Sequence, residues 1–362
     1  MHIIYTTKIY LPHIGGVELY IKKLADYFVA KGNFVTVITA DEEISRFTEE
    51  YDGSIKTMRI PAKSVGGVFF LKHKSDFARI KQELTNADIV HVNDCKFLFR
   101  FFAKQKRKIC YKLICSSHGW LFHTKNHSFL KRVYFKEFVA KNARYYDRII
   151  CVSEQDKRIA ESYGIKNLGL ILPGMNLKKY AELPASQMMG YYFFYWGRIS
   201  SNKGILEALK KLSRLTVDWH FSIAGKCEDN EYMSNLKTYI INHDMEKRIS
   251  FLGILSDEDI RMQISSCNFI LMPSLHEGFG ATLVECLLSN RPILANKIES
   301  FEKILEQTQA TEYLFDFEDE KSDLQTKITE LQNKKIVPKN VEQFSEEKLM
   351  ENIENVYEEL LR

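Results

Sequence analysis

Glu277-Gly278-Phe279-Gly280-Ala281-Thr282-Leu283-Val284-Glu285 sets two glutamates eight positions apart, with Gly-Phe-Gly directly after the first. Upstream, Asn268-Phe269-Ile270-Leu271-Met272-Pro273-Ser274 reads as a buried strand running into a turn. Downstream, Ala281 to Leu288 is apolar enough to begin a packed helix. Glu277 therefore falls in a strand-to-helix loop. Glu285 falls about two turns into the helix, and eight helical residues span ~12 Å. In an open parallel sheet such loops lie at the carboxyl ends of strands, where ligands bind. Glycine, without a Cβ, lets a ligand approach the backbone closely, and the free N–H groups of a helix start suit anionic or hydroxyl-rich ligands. Two carboxylates so far apart share neither one proton nor one small metal ion. They can hydrogen-bond two separate diols of a long ligand, such as a hexose and a ribose joined by a diphosphate.

Working outward, strand and helix signals alternate along the whole chain, which argues for α/β layers with parallel sheets. Strand-like runs occur at 2–7, 34–40, 88–93, 112–117 and 148–152, with helical stretches between them that include Val17–Lys31 and Phe129–Asn142. Pro173-Gly174 breaks the pattern, and a polar linker runs to about Met189. Alternation then restarts with strands at 191–196, 219–224, 249–252, 269–272 and 292–295. The expectation is an α/β protein of two doubly wound domains, 1–173 and 185–344, with a cleft between them. A C-terminal amphipathic helix follows from 345, with Leu349, Ile353, Val356 and Leu360 at helical spacing.

A length of 362 residues suits two domains, and 45% apolar content suits large cores. The N-terminus reads as a first strand and not as a signal peptide. No run approaches the ~18 apolar residues of a membrane span. The seven cysteines form no Cys-x-x-Cys pair and sit mostly in apolar stretches, as reduced thiols of a cytoplasmic protein do. Net charge is +4, but residues 1–180 carry 31 Lys and Arg against 17 Asp and Glu, while the remainder carries 20 against 30. Such asymmetry suits a half that meets an anionic surface. Basic and aromatic residues interleave at 96–108 and 129–136, which reads either as a membrane-surface element or as half-buried helices with snorkelling lysines. Nucleic acid is disfavoured, because no reader motif accompanies the charge.

Four further segments carry candidate chemistry. Gly15-Gly16-Val17-Glu18 permits a tight turn with N–H groups toward a phosphate, though it is not Gly-x-Gly-x-x-Gly. Arg198 and Lys203, in the loop Gly197–Gly204, can both reach a diphosphate and neutralise a departing nucleotide. His118 ends the strand before Gly119-Trp120, and a neutral imidazole there can hydrogen-bond a hydroxyl without adding charge. Asp257-Glu258-Asp259 superficially matches a metal-binding Asp-x-Asp, but Ser256 before it makes a helix cap with an acidic first turn the better reading, so no metal is expected.

In its Glu277…Glu285, Gly-Gly-Val-Glu and Gly-Arg…Lys-Gly segments the chain resembles the retaining GT-B glycosyltransferases of family 4. That resemblance implies two Rossmann-like domains and a nucleoside-diphosphate sugar donor such as GDP-mannose or a UDP-hexose. It implies that Glu285 holds the ribose, and that Glu277, Gly278, Phe279 and Gly280 hold the sugar. Arg198, Lys203 and Gly16 would hold the diphosphate, His118 would lie near the transferred sugar, and Gly225, Ile254 and Leu255 would hold the base. Glu277, His118, Arg198 and Lys203 are the implied catalytic set, without metal or other cofactor. The C-terminal helix is implied to return to the first domain. Ser117-His118-Gly119-Trp120-Leu121-Phe122-His123-Thr124 resembles a stretch of polyprenyl-diphosphate-linked mannosyltransferases of exopolysaccharide assembly. The implied partners are a glycan or lipid-linked acceptor and an anionic membrane at the cytoplasmic face. Two alternatives stay open: a sugar-nucleotide epimerase on the same fold, and a non-catalytic sugar-nucleotide-binding protein.

Overall fold

The computed structural model describes residues 1–13, 15–120, 128–184, 186, 188, 190–227, 229–332, 334 and 336–362. The chain divides into two compact units: Met1–Leu172 with Leu349–Arg362, and Pro173–Lys348.

The first unit is built on β1 (His2–Thr7), β2 (Phe34–Asp41), β3 (Thr48–Asp52), β4 (Ile55–Val65), β5 (Val68–Leu71), β6 (Ile89–Val92), β7 (Lys112–Ser116), β8 (Arg148–Cys151) and β9 (Leu168–Leu170). They form one sheet in the order β3-β4-β2-β1-β6-β7-β8-β9, with β5 paired to β4. Side chains alternate across a strand, so each strand feeds two cores. Ile3, Tyr5, Val35 and Val37 pack on one face against Ile21, Leu24 and Phe28 of the helix Gly16–Ala30. Ile4, Ile38, Val90 and Val92 pack on the other face with Ile80, Leu84, Phe99 and Phe102. The C-terminal helix Glu346–Leu361 lays Leu349, Met350, Ile353 and Tyr357 into the first of these cores. The antiparallel strands β3 and β5 extend a region where the sequence showed no alternation.

The aromatic stretch at 96–108 divides under this packing. Phe97, Phe99 and Phe102 are core residues, and Lys106 is ion-paired to Asp147 at 2.5 Å. Burial there explains the aromatics without any membrane. The second stretch forms the helix Ser128–Tyr134, a π-helical turn Phe135–Ala140 and a last turn Lys141–Ala143. Phe135 and Val139 face inward, whereas Phe129, Leu130, Val133 and Phe138 stay exposed.

The second unit has a six-stranded parallel sheet in the order β12-β11-β10-β13-β14-β15. Its strands are β10 (Tyr191–Trp196), β11 (Trp219–Ala224), β12 (Ile249–Gly253), β13 (Phe269–Met272), β14 (Ile293–Asn296) and β15 (Leu314–Phe315). β13 is buried on its whole length and β10 in its centre, as strands covered by helices on both faces must be.

Each order contains one reversal. In the first sheet the chain runs outward from β1 to β2 and then returns to place β6 on the other side of β1. In the second it runs from β10 through β11 to β12, then places β13 beside β10. At such a reversal adjacent loops leave in opposite directions and open a crevice at the carboxyl ends of the strands.

Candidate functional site

The crevice of the second sheet lies between the loops after β10 and β13. These two loops are tied together: Leu275 N–H donates to Asn202 O at 2.9 Å. A Cβ on Gly204, which has φ +64°, would stand 1.9 Å from Pro273 O, so only glycine fits. The short turn Ser201–Lys203 then aims Lys203 across the crevice. Its Nζ donates to Glu277 Oε1 at 2.5 Å, and Ser274 Oγ donates to the same oxygen at 2.8 Å. The recess so formed has a volume of about 120 Å3, with Lys203, Ser274, Glu277 and Gly280 on its wall beside Tyr195 and Phe301.

Gly280, at φ 107°, is the N-cap of the helix Ala281–Cys286, and a Cβ there would lie 2.8 Å from the Phe301 ring. Gly278 and Phe279 are half-buried, with the Phe279 ring 6.0 Å from that of Phe344. Because the helix starts only at Ala281, Glu285 lies about one turn in, not two. Its carboxylate sits 3.9 Å from Lys179 Nζ, which also binds Asp257 at 2.9 Å. Burial opposes the Lys179 charge, but the Asp257 hydrogen bond and the Glu285 charge outweigh it and hold its pKa above the lysine range. Arg198 is exposed and has no carboxylate partner among the described residues; its carbonyl accepts from Tyr195 Oη at 2.9 Å.

Gly225 follows β11 and presses against the loop after β10: a Cβ would lie 1.8 Å from Gly197 O. Its N–H donates to Gly253 O at 2.7 Å. This close packing brings the ends of β10, β11 and β12 together. At the end of β12, Ile254 is 75% exposed and Leu255 is half-buried. Asp259 completes a capping box with Ser256. Among the described residues no group of three His, Cys, Asp or Glu is arranged to hold a metal ion.

In the first unit the corresponding loops carry one ion pair, Lys8 to Asp94 at 3.5 Å, and a set of neutral groups around His118. Gly16 opens the helix Gly16–Ala30, and the position its Cβ would take is empty space. His118, at φ 41°, and Trp120, at φ 52°, hold a backbone shape that L side chains rarely adopt. Asp156 enforces it. Its buried Oδ2 accepts from Ser117 Oγ and from Gly119 N–H, and its carbonyl accepts from Trp120 Nε1 at 3.0 Å. His118 Nε2 lies 3.1 Å from Asn93 Oδ1. The Asn93 amide nitrogen already donates to His91 O, so Oδ1 is the acceptor toward His118. The His118 proton is therefore on Nε2, and Nδ1 is an acceptor. Burial lowers the His118 pKa to about 4, which keeps the ring neutral at pH 7.

Behind it, His91 bridges Tyr357 Oη at 2.7 Å and Ser116 Oγ at 2.8 Å. Burial, with the nearby His118, lowers the His91 pKa to about 3. Leu121, Phe122, His123 and Thr124, part of the mannosyltransferase-like stretch, lie outside the described residues.

Sequence reading missed Asn93, Asp156, Ser274 and Lys179. Ser274 and Asn93 stand directly past apolar strands and were open to the strand-end argument. Asp156 carried only the signal of a Ser-x-x-Asp cap, and Lys179 carried none.

Two family descriptions match the chain in sequence: "Glycosyltransferase Family 4" over residues 14–179 and "Glycosyl transferases group 1" over residues 179–348. The chain is similar to a GDP-mannose:cellobiosyl-diphosphopolyprenol alpha-mannosyltransferase of Xanthomonas oryzae, at 27% identity over 82% of this chain and 79% of that one. The protein of the same description from Xanthomonas campestris is 31% identical over 59% of this chain and 57% of that one. Among solved structures, a glycosyltransferase from Rickettsia africae superimposes with a TM-score of 0.73 at 18% identity, over 100% and 98% of the two chains. Anabaena HepE in complex with UDP gives 0.73 at 16% identity, over 99% and 100%. With these matches, and with two largely parallel sheets that each reverse at a crevice, the chain belongs to the family 4 glycosyltransferases of the GT-B fold.

Proposed function

We propose that this chain transfers a hexose from a nucleoside-diphosphate sugar to a lipid-linked glycan with retention of configuration, and that mannose from GDP-mannose is the donor to test first. The observation that carries this reading is the meeting of Lys203 and Glu277 at the reversal of the second sheet, with exposed Arg198, which has no carboxylate partner among the described residues, in the same loop as Lys203. Without ligand, Lys203 neutralises Glu277. An arriving diphosphate offers Lys203 and Arg198 a stronger acceptor, and Glu277 is released toward the sugar hydroxyls. Glu285, now held by Lys179, takes the ribose in the same manner. Gly278–Gly280 present backbone to the sugar, while Gly225, Ile254 and Leu255 border the base. The family resemblance assigns Gly16 and neutral His118 to the donor and the transferred sugar.

In the reaction the bond from the anomeric carbon to the β-phosphate oxygen breaks, and the acceptor oxygen bonds to the same face. The acceptor's proton passes to the leaving phosphate. The side chains stabilise charge and fix positions without taking that proton. Lys203 and Arg198 do at the leaving diphosphate what a metal does in other transferases, so transfer should persist in EDTA.

The mannosyl and polyprenyl-linked reading is supported by the Xanthomonas relatives, whose descriptions name GDP-mannose and a diphosphopolyprenol. An acceptor carried by lipid suits peripheral binding at the cytoplasmic face of a membrane. Among the described residues no helix is long and apolar enough to cross one.

A thermal-shift screen of GDP-, UDP- and ADP-sugars tests the donor, since a ligand at a hundred times its Kd stabilises the fold by ~2.7 kcal/mol. Stabilisation by GDP-mannose with transfer to a polyprenyl-diphosphate glycan supports the reading. Interconversion of the donor sugar without acceptor would favour an epimerase. Binding with neither activity would favour a sugar-nucleotide-binding protein.

A further inference from the structure

Apart from the charged crevice of the second unit, two neighbouring helical segments of the first unit border a second pocket. The helix Phe99–Gln105 and the stretch 135–143 border a space of about 440 Å3. Arg100, Lys104, Arg107, Lys141 and Arg144 line it, against a single carboxylate, Glu137. Glu137 is already bound by Lys141. Arg100, Lys104, Arg107 and Arg144 have no carboxylate partner among the described residues. Ring faces hold two of them in place: Arg100 lies 5.9 Å from the Phe138 centroid and Arg144 lies 4.9 Å from that of Tyr145. Four unpaired cations around one space repel one another unless an anion joins them. Arginine forks and lysine ammonium groups match phosphate oxygens.

The same helical stretch exposes large apolar side chains. Phe129 is 74% exposed, Leu130 64%, and Val133 and Phe138 both 42%. Phe129 and Val133 share a face at i and i+4, and Phe138, on the pocket wall, stacks on Tyr134 one position beyond Val133. Cations alone would suit any soluble anion, and that ligand would leave this apolar run in water. An anion attached to hydrocarbon accounts for both features.

We propose that this pocket takes the phosphate of an anionic phospholipid headgroup while Phe129, Leu130 and Val133 enter the acyl boundary. The inference rests on the membrane reading above and adds to it a defined lipid site, separate from the residues of transfer.

The test is co-sedimentation of the full chain with phosphatidylglycerol and phosphatidylcholine vesicles. Three proteins are compared: wild type, the pocket variant R100Q/K104Q/R107Q/R144Q, and the control K63Q/K74Q/K81Q/K166Q. The control changes net charge equally at exposed positions outside the pocket. Wild type should prefer phosphatidylglycerol. The pocket variant should bind it about tenfold more weakly or worse, the control about twofold more weakly at most. Phe129→Ser with Leu130→Ser should remove the fraction of binding that survives high salt. Transfer to a soluble acceptor should be unchanged in the pocket variant, which shows that it is folded. Equal losses in pocket variant and control would overturn the site and leave the membrane reading standing. Failure of wild type to bind either vesicle would overturn the membrane reading itself. Release by inorganic phosphate beyond that by chloride of equal ionic strength, with the Phe129/Leu130 variant binding normally, would reassign the pocket to a soluble anion.

Discussion

The second unit gathers charges at its crevice, whereas in the first unit the groups around His118 are mostly neutral. Lys203 faces Glu277, and Lys179 stands between Asp257 and Glu285. In the first unit Asn93 and His118 pair as neutral groups, His91 is kept uncharged by burial, and the Asp156 carboxylate is occupied by hydroxyl and N–H donors, while Lys8 and Asp94, just past β1 and β6, form an ion pair at 3.5 Å. Under the proposed function, the difference follows from what each would meet. A diphosphate brings charge, and a site for it needs cations that cost little to hold while empty. Pairing with carboxylates provides that, because a lone buried charge is expensive and a paired one is not. Hydroxyls bring no charge, so their site needs fixed donors and acceptors, and neutral groups can be buried and oriented without a counter-ion.

The sharpest way to break this comparison is to remove charge from one side and neutral polarity from the other. Glu277→Ala and Arg198→Ala should each lower turnover on the order of a hundredfold or more while the thermal midpoint stays near that of wild type. His118→Gln, neutral for neutral, should cost about tenfold or less. If purified E277A and R198A transfer at wild-type rates, the charged crevice is not the reacting end.

Next in size is the scaffold that brings the two loops together. Gly204→Ala forces a Cβ to within 1.9 Å of Pro273 O at φ +64°. It should destabilise the second unit by about 3 kcal/mol or more, read as a lower urea midpoint of Trp196 and Trp219 fluorescence. Unchanged unfolding would mean that the loops can separate without loss.

Acid should sort the two units. Burial holds His91 and His118 below 6.5, at about 3 and about 4, so the unfolded chain binds these protons and the folded chain does not. Their contribution is therefore complete above about pH 6.5 and falls as the pH drops toward 4, by roughly 1.4 kcal/mol per pH unit for each histidine. Trp120, the tryptophan of the first unit, should report loss of structure at a higher pH than Trp196 and Trp219. His91→Gln with His118→Gln should flatten that dependence, and an unaltered slope would show that other groups set it. Turnover should show no limb from His118 between about pH 5 and 8, because the ring is neutral throughout.

The smallest expected effect concerns the C-terminal helix. Tyr357→Phe removes the hydroxyl that meets His91 Nδ1 at 2.7 Å and Tyr5 Oη at 3.3 Å. It should cost about 1 to 2 kcal/mol in the first unit, measured by chemical denaturation, through an unsatisfied buried polar group. No loss would mean that water replaces the hydroxyl.

Much of the α/β architecture was legible in the chain because buried parallel strands read as short apolar runs, as at Phe269–Met272 and Tyr191–Trp196. The outer strands were not. Thr48–Asp52 is exposed along its whole length, so no apolar alternation marks it, and only its pairing with β4 makes it a strand. The helix after Glu277 starts at Ala281, where the apolar run begins, but the depth of Glu285 in it was overestimated, because the eight positions were counted from Glu277 while Gly280 is in the left-handed region, and the helix ends at Cys286, short of Leu288. In the candidate site, Glu277, Lys203, Arg198 and His118 stood out by their places after strands. Lys179 did not, because its partners Asp257 and Glu285 are 78 and 106 positions away along the chain.

By itself, then, the sequence determined the alternation of strands and helices, the interruption at Pro173-Gly174 and the two loops with glycine and charge at strand ends. These are local properties, set by periodicity and by backbone freedom within a few residues. Only the tertiary structure decided that the loops after β10 and β13 are neighbours, since strand order belongs to the sheet and not to any segment of it. It alone chose the His118 tautomer, through an asparagine twenty-five residues away. It also sorted two similar basic and aromatic stretches, burying Phe99 and Phe102 while leaving Phe129 and Leu130 in the open. Which side chains meet, and which are removed from water, depends on partners that the chain brings together only by folding.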